Sequence, residues 1–187
     1  MKEEILKAYQ IIQTGGVILY PTDTVWGLGC DATKAKSVER IYEIKKRPEN
    51  KSLIVLLDLP EKLYQYVDDI PEIAFDFINN ITTPLTIIYP KAKNLPKNLI
   101  ASNGSIAIRI VRDEFCQKLV SLMNKPLVST SANFSGEPTP LIFSKINKEI
   151  INQVDYVVNL NRTRIKEVKS STVIKFNHKG EYEIVRS

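Results

Sequence analysis

The sequence predicts an α/β protein built on a twisted, open, mixed sheet flanked by helices, and three observations predict it. Short apolar runs recur along the chain and alternate with segments of helical periodicity. The last two apolar runs frame Asn177-His178-Lys179-Gly180, a hairpin turn that forces at least one antiparallel pair. The 187 residues show no repeat, low-complexity stretch or shift in composition, which predicts one domain over 1–187.

Each element has a local reason. Ile5, Ala8, Tyr9 and Ile12 fall at helical spacing, and Gly15-Gly16 stops that helix before the strand Val17-Ile18-Leu19-Tyr20. A second helix is predicted over Ser37–Lys46, ended by Pro48. Ser52–Leu57 reads as a buried strand, and Pro60–Val67 and Pro71–Asn79 as short helices with proline in the first turn. Leu85–Tyr89 and Ile106–Val111 are strands separated by a polar loop. Asp113 caps a helix over Glu114–Met123 whose Phe115, Leu119 and Leu122 share a face. The strand that begins at Pro126-Leu127-Val128 gives way to Ser129-Thr130-Ser131-Ala132-Asn133. A helix near Ser144–Ile151 follows, then strands at Asp155–Leu160, Thr172–Phe176 and Glu181–Val185.

Composition narrows the function. No apolar run is long enough to cross a bilayer, and Met1-Lys2-Glu3-Glu4 opens a polar helix, not a signal peptide. Cys30 and Cys116 are far apart with no metal-ligand spacing, which predicts a reduced, cytoplasmic protein without structural zinc. The net charge of +5 tilts the chain towards anionic partners, but the basic residues are spread and do not by themselves point to RNA. The single histidine, His178, lies in the predicted hairpin turn, and no GxSxG, HExxH or Walker motif occurs. A catalyst here works by positioning and charge, without a Ser/His or Cys/His nucleophile.

Three features carry chemistry. Lys45 continues the apolar stripe of Val38, Ile41 and Tyr42; it either extends along that stripe to water or gathers with Arg47 and Lys51 around a polyphosphate. The hydroxyls and amide of Ser129–Asn133 exceed what one turn needs, and ligands in open α/β sheets bind beyond the carboxyl ends of strands. With Thr22-Asp23-Thr24, that cluster predicts one shared pocket. Arg109, embedded in Ile106-Ala-Ile-Arg-Ile110, either makes a structural salt bridge or reaches an anionic ligand, since a buried guanidinium must be paired.

Taken together, Tyr20-Pro-Thr-Asp-Thr-Val-Trp-Gly-Leu-Gly29, Lys45-Lys46-Arg47-Pro48, Ile106-Ala-Ile-Arg109 and Ser129-Thr-Ser-Ala-Asn-Phe-Ser-Gly136 resemble the YrdC/TsaC family of L-threonylcarbamoyladenylate synthases. The resemblance covers Gly15 to Arg186. It implies an open sheet around a basic concave cleft, and a reaction joining L-threonine, bicarbonate and ATP into threonylcarbamoyl-AMP and pyrophosphate. Downstream, it implies a threonylcarbamoyl transferase complex acting on tRNA, with tRNA a candidate partner and no membrane. By the same resemblance Lys45 and Arg47 are catalytic and bind ATP, with Ser131, Asn133 and Arg186 also on the nucleotide. Thr22, Arg109, Ser129 and Ser171 bind threonine, and Lys51 and Thr86 line the cleft. Mg²⁺ comes with ATP, with no protein cage. Thr82-Thr83-Pro84 departs from the family's usual Pro-Gly-Pro, and the long form's extra carboxyl-terminal domain is not seen. A sister subgroup, YciO-like, has lost parts of the K-x-R and S-x-N elements. Both elements are intact here, which favours synthase activity over RNA binding alone. Trp26 is expected to pack behind the pocket, and Gly27 and Gly29 to allow close backbone approach.

Overall fold

A computed structural model describes residues 1–48, 53–163 and 171–186. The chain forms α1 (Lys2–Gln13), β1 (Ile18–Pro21), β2 (Trp26–Gly29), α2 (Ala35–Ile44), β3 (Ile54–Leu57), a 3-10 helix (Pro60–Gln65) and α3 (Glu72–Asn80). Then come β4 (Leu85–Tyr89), β5 (Ile106–Ile110), α4 (Glu114–Met123), β6 (Leu127–Ser131), a 3-10 turn (Phe143–Lys145) and α5 (Lys148–Gln153). Last are β7 (Tyr156–Val157), β8 (Thr172–Phe176) and β9 (Tyr182–Arg186). Among the described residues the strands form one sheet, ordered β7-β1-β2-β6-β3-β5-β4-β8-β9. Parallel pairs (β1/β7, β3/β5, β4/β8) alternate with antiparallel ones, so the sheet is mixed as expected.

The two faces of the sheet are covered unequally. On one, Leu19, Leu28, Val55, Ile87, Ile108, Val128 and Ile174 pack under α2, α3, α5 and the 3-10 helix at 60–65. On the other, α1 and α4 lay Ile5, Ala8, Ile12, Phe115, Cys116 and Leu119 over Ile18, Tyr20, Leu56 and Leu127. Each fully buried aliphatic side chain contributes about 1.5–3 kcal/mol, so these layers carry the fold. Beyond α1 and α4, strand alternation turns Arg109 of β5 and Thr86 of β4 towards this second face. That part of the sheet is the floor of a cleft.

Most predicted elements stand where expected, and the differences have causes. β2 was not anticipated, because two glycines in four residues disfavour a strand. They serve close approach: a Cβ on Gly29 would meet the Tyr20 ring at 2.7 Å and the Val128 carbonyl at 2.8 Å. β2 pairs with β6 (Gly27 with Ser131, Leu28 with Thr130), so the Ser129–Ser131 cluster belongs to a strand instead of a turn. Asp113 caps α4 by accepting from Cys116 N at 3.1 Å. Leu122, however, is 42% exposed: it lies roughly a quarter turn from the centre of a buried face made by Phe115, Cys116, Leu119 and Val120. The helix expected at 144–151 splits into the 3-10 turn and α5, and the strand at 155–160 contracts to β7. Both cysteines are buried thiols, not joined in a disulfide. No helix among the described residues is long and apolar enough to cross a membrane.

Candidate active site

The spacing of Lys45, Lys46 and Arg47 is that of a helix terminator. Lys45 is the C-cap of α2, and Lys46 takes a left-handed conformation with φ 49°. Lys46 N donates to Glu43 O and Arg47 N to Tyr42 O, both at 2.9 Å, which is the Schellman arrangement. A lysine stands where glycine is usual, and its ammonium lies 4.3 Å from the centroid of the Phe134 ring and 3.0 Å from Glu149. The reversal sends Lys45 and Arg47 to different places.

Lys45 is 1% exposed. Its Nζ donates to the carbonyl of Ser131 and, at 2.7 Å, to that of Asn133, while Ser135 N donates to the Lys45 carbonyl at 2.9 Å. It therefore neither extends to water nor stands on the cleft wall; it pins the loop after β6. Burial, with Arg47 alongside, pulls its pKa down to about 8. Arg47 does reach the cleft, and burial lowers its pKa as well.

The cleft is a cavity of about 500 Å³, bounded by Thr22, Thr24 and Val25 of the β1–β2 loop, Gly27, Ile54, Arg109, Ser129 to Ser131, Ser171, Arg47 and Arg186. Among the described residues, its lining holds three arginines and no carboxylate. The two polar clusters at strand ends do share one pocket. The Thr22 hydroxyl donates to Val25 O at 2.7 Å and accepts from Thr24 N at 3.1 Å, so it also shapes its own loop. Asn133 is set back from the wall; its Nδ2 donates to Phe134 O (2.9 Å) and Glu137 O (2.8 Å). Those two carbonyls fix which end of the amide is nitrogen, and its Oδ1 is buried without a hydrogen-bond partner among the described residues.

Arg109 meets the structural one of its two readings. It is 7% exposed and makes a structural pair, Nη1 to Asp23 Oδ1 at 3.2 Å, while its Nε donates to Thr86 Oγ1 at 3.2 Å. It still lines the cavity. Thr86 lies one layer behind the cleft instead of lining it; its hydroxyl is 3.1 Å from that of Ser171. Arg186 donates twice to Ser171 O (3.1 and 3.0 Å) and once to Ser171 Oγ (3.2 Å). Lys51 lies outside the described residues. Asp23, as the Arg109 partner, is the residue sequence reasoning missed. Its signal was present: a buried arginine needs a carboxylate, and Asp23 stands in the loop that faces β5. Trp26 is 4% exposed and packs on Phe143 with centroids 4.8 Å apart, behind the pocket as expected. His178 is exposed in its turn.

The sequence pattern of the Sua5/YciO/YrdC family, described as "Telomere recombination", matches residues 10–187. A threonylcarbamoyl-AMP synthase of Pseudoalteromonas translucida is 37% identical over 180 residues, covering 91% of this chain and 96% of that one. The crystal structure of Pyrococcus abyssi Sua5 complexed with L-threonine superposes with a TM-score of 0.84 at 31% identity, over 92% of this chain and 50% of that one. This chain thus spans about half of that protein. Escherichia coli YciO superposes equally well, with a TM-score of 0.84 at 27% identity, over 100% of this chain and 90% of that one. Equal superposition on Sua5 and YciO makes the fold silent between them. The pattern over nearly the whole chain, with the relatives that share it, places this protein in the Sua5/YciO/YrdC family.

Proposed function

We propose that this chain is an L-threonylcarbamoyl-AMP synthase, making threonylcarbamoyl-AMP and pyrophosphate from L-threonine, bicarbonate and ATP. The observation that carries the reading is the cleft lining: among the described residues it gathers three arginines and a row of hydroxyls, a surface suited to anions. The 37% identical relative named threonylcarbamoyl-AMP synthase and the threonine complex of Sua5 support it.

In this reading Arg109 takes the carboxylate of threonine, and Thr22, Ser129 and Ser171 surround the amino acid. Thr22 borders it through the loop that its hydroxyl shapes, engaged with Val25 O and Thr24. Arg47, Ser131 and Arg186 hold the nucleotide, and Asn133, set back from the wall, braces the loop after Ser131. Lys45 acts from beneath, fixing the loop that carries Ser131 and Asn133 and adding positive charge under the phosphates. The threonine amine attacks the bicarbonate carbon; a C–N bond forms, a C–O bond breaks, and the amine proton leaves with that oxygen as water, giving a carbamate. A carbamate oxygen then attacks the α-phosphorus, the bond to the bridging oxygen of the β-phosphate breaks, and pyrophosphate leaves with the electron pair. Alignment and charge neutralisation are what such a step requires, consistent with a cleft that has no histidine. In this reading Mg²⁺ would arrive coordinated by the phosphates of ATP. The product is a reactive mixed anhydride, to be consumed by a transferase complex that modifies tRNA.

The test is pyrophosphate release with ATP, threonine and bicarbonate, omitting each in turn. Release is expected only with all three. Release that ignores threonine, or none at all, overturns the reading and favours a non-catalytic, RNA-binding role of the YciO kind.

A further inference from the structure

A chain of polar groups crosses the cleft floor from Asp23 through Arg109, Thr86 and Ser171 to Arg186. Thr86 and Ser171 are each 1% exposed, so their hydroxyls are subject to a strict count of donors and acceptors. Thr86 Oγ1 accepts from Arg109 Nε, and Ser171 Oγ accepts from Arg186 Nη2. The two hydroxyls own two protons, and the contact of 3.1 Å between them uses one. One proton is left, whichever way that contact runs. No acceptor for it exists among the described residues. Ser171 lines the cavity and Thr86 does not, so the arrangement that delivers this proton to the cleft has Thr86 donating to Ser171.

We propose that Thr86 is a positioning residue: its single hydroxyl joins Arg109, Ser171 and Arg186 into one donor array and aims the Ser171 proton at the bound amino acid. Thr86 touches no substrate. It accepts from the guanidinium that takes the carboxylate and donates to the serine that the second guanidinium also holds. The inference rests on the reading of this cleft as the threonine and ATP site. It adds that the amino-acid side and the Arg186 side are coupled through two buried hydroxyls, those of Thr86 and Ser171.

The experiment replaces Thr86 by Val, which keeps the shape and removes the hydroxyl, and by Ser, which keeps the hydroxyl. Pyrophosphate release is followed against threonine and ATP, and threonine binding is measured by calorimetry on the same proteins. For Thr86→Val the expected result is a KM for threonine raised about tenfold or more, with kcat changed less, as befits lost ground-state orientation. Thr86→Ser is expected to stay within about twofold to threefold of the unaltered protein. Ser171→Ala breaks the same link from the other side, so the double variant is expected to be little worse than the poorer single one. If Thr86→Val does not fold, Ser171→Ala must by itself raise the KM for threonine and weaken ATP use. A Thr86→Val protein with an unchanged KM, or a double variant whose losses multiply, overturns the coupling while the synthase reading stands. An unaltered protein that neither binds threonine nor needs it for pyrophosphate release overturns both.

Discussion

Two cavities of similar size among the described residues present different chemistry. One, of about 560 Å³, lies on the covered side of the sheet among Leu63, Ile78, Leu85, Ile87, Tyr89 and Ile108, and is lined as well by Asp23, Thr82, Thr83, Arg112 and Asp113. The other is the cleft of about 500 Å³. The same two strands build both walls. In β4, Leu85, Ile87 and Tyr89 face the first cavity while Thr86 turns to the other side; in β5, Ile108 and Ile110 face the first and Arg109 the second. The two spaces are separated by one ion pair, with Asp23 on the wall of the larger and Arg109 on the wall of the smaller. Volume therefore says nothing about which one does chemistry. The donors do: the first sets its aliphatic side chains beside Asp23, Asp113 and one guanidinium, whereas the second gathers three guanidinium groups and a row of hydroxyls, a wall that recognises anions.

If the two walls divide the labour this way, substitutions should divide as well. The largest effect is expected from Ile87→Ala on the covered side: a loss of roughly 2–5 kcal/mol of stability and about 10 °C in Tm by thermal melting. KM for threonine and ATP should stay unchanged in the folded enzyme. Arg109→Ala on the open side is expected to do the reverse, cutting kcat/KM for threonine by about a hundredfold, on the order of 2.7 kcal/mol, with a smaller change in Tm. An Ile87→Ala enzyme with altered KM, or an Arg109→Ala enzyme with normal threonine kinetics, breaks the comparison.

Lys45 sits where the two kinds of effect meet. Lys45→Met removes both the buried charge and the tie to the loop, and turnover should fall at least about tenfold, some 1.4 kcal/mol in the barrier. A smaller effect reports the burial itself. The pKa of Lys45 in the folded protein is about 8, below its ordinary value near 10.5. The unfolded chain therefore binds the extra proton between those values. Stability should rise relative to Lys45→Met as pH climbs from about 8 towards 10, by on the order of 1 kcal/mol, and the difference should be level below about pH 7. Denaturant titrations of both proteins across that range check the sign. A difference that falls with pH would mean the ammonium is not held as described.

How much of this was legible beforehand depends on whether the signal was local. β4, β8 and α4 could be read almost to the residue because period-two apolar runs and an Asp cap are local patterns. β2 could not, since its glycines are explained only by Tyr20 and Val128 packed against them. The reach of β6 to Ser131 depends on β2 in turn. Among site residues, Arg109, Ser129 and Ser131 stood out as polar groups in or after apolar strands. The destination of Lys45 did not, because helical phase places its Cα but not the carbonyls of Ser131 and Asn133, 86 and 88 positions away. Thr86 was legible as a polar residue in a strand; its place behind the cleft and its link to Ser171 required the register of β4 against β8.

The central claim is that the open face assembles a carbamoylated amino acid on the nucleotide, and the identity of the product tests it most directly. The protein is incubated with ATP, L-threonine and ¹³C-bicarbonate, and the nucleotide products are resolved by mass spectrometry. The account predicts an AMP adduct that carries both threonine and the ¹³C label, formed in step with pyrophosphate. An unlabelled threonine–AMP adduct, or ATP breakdown with no adduct that depends on Arg109, would contradict it.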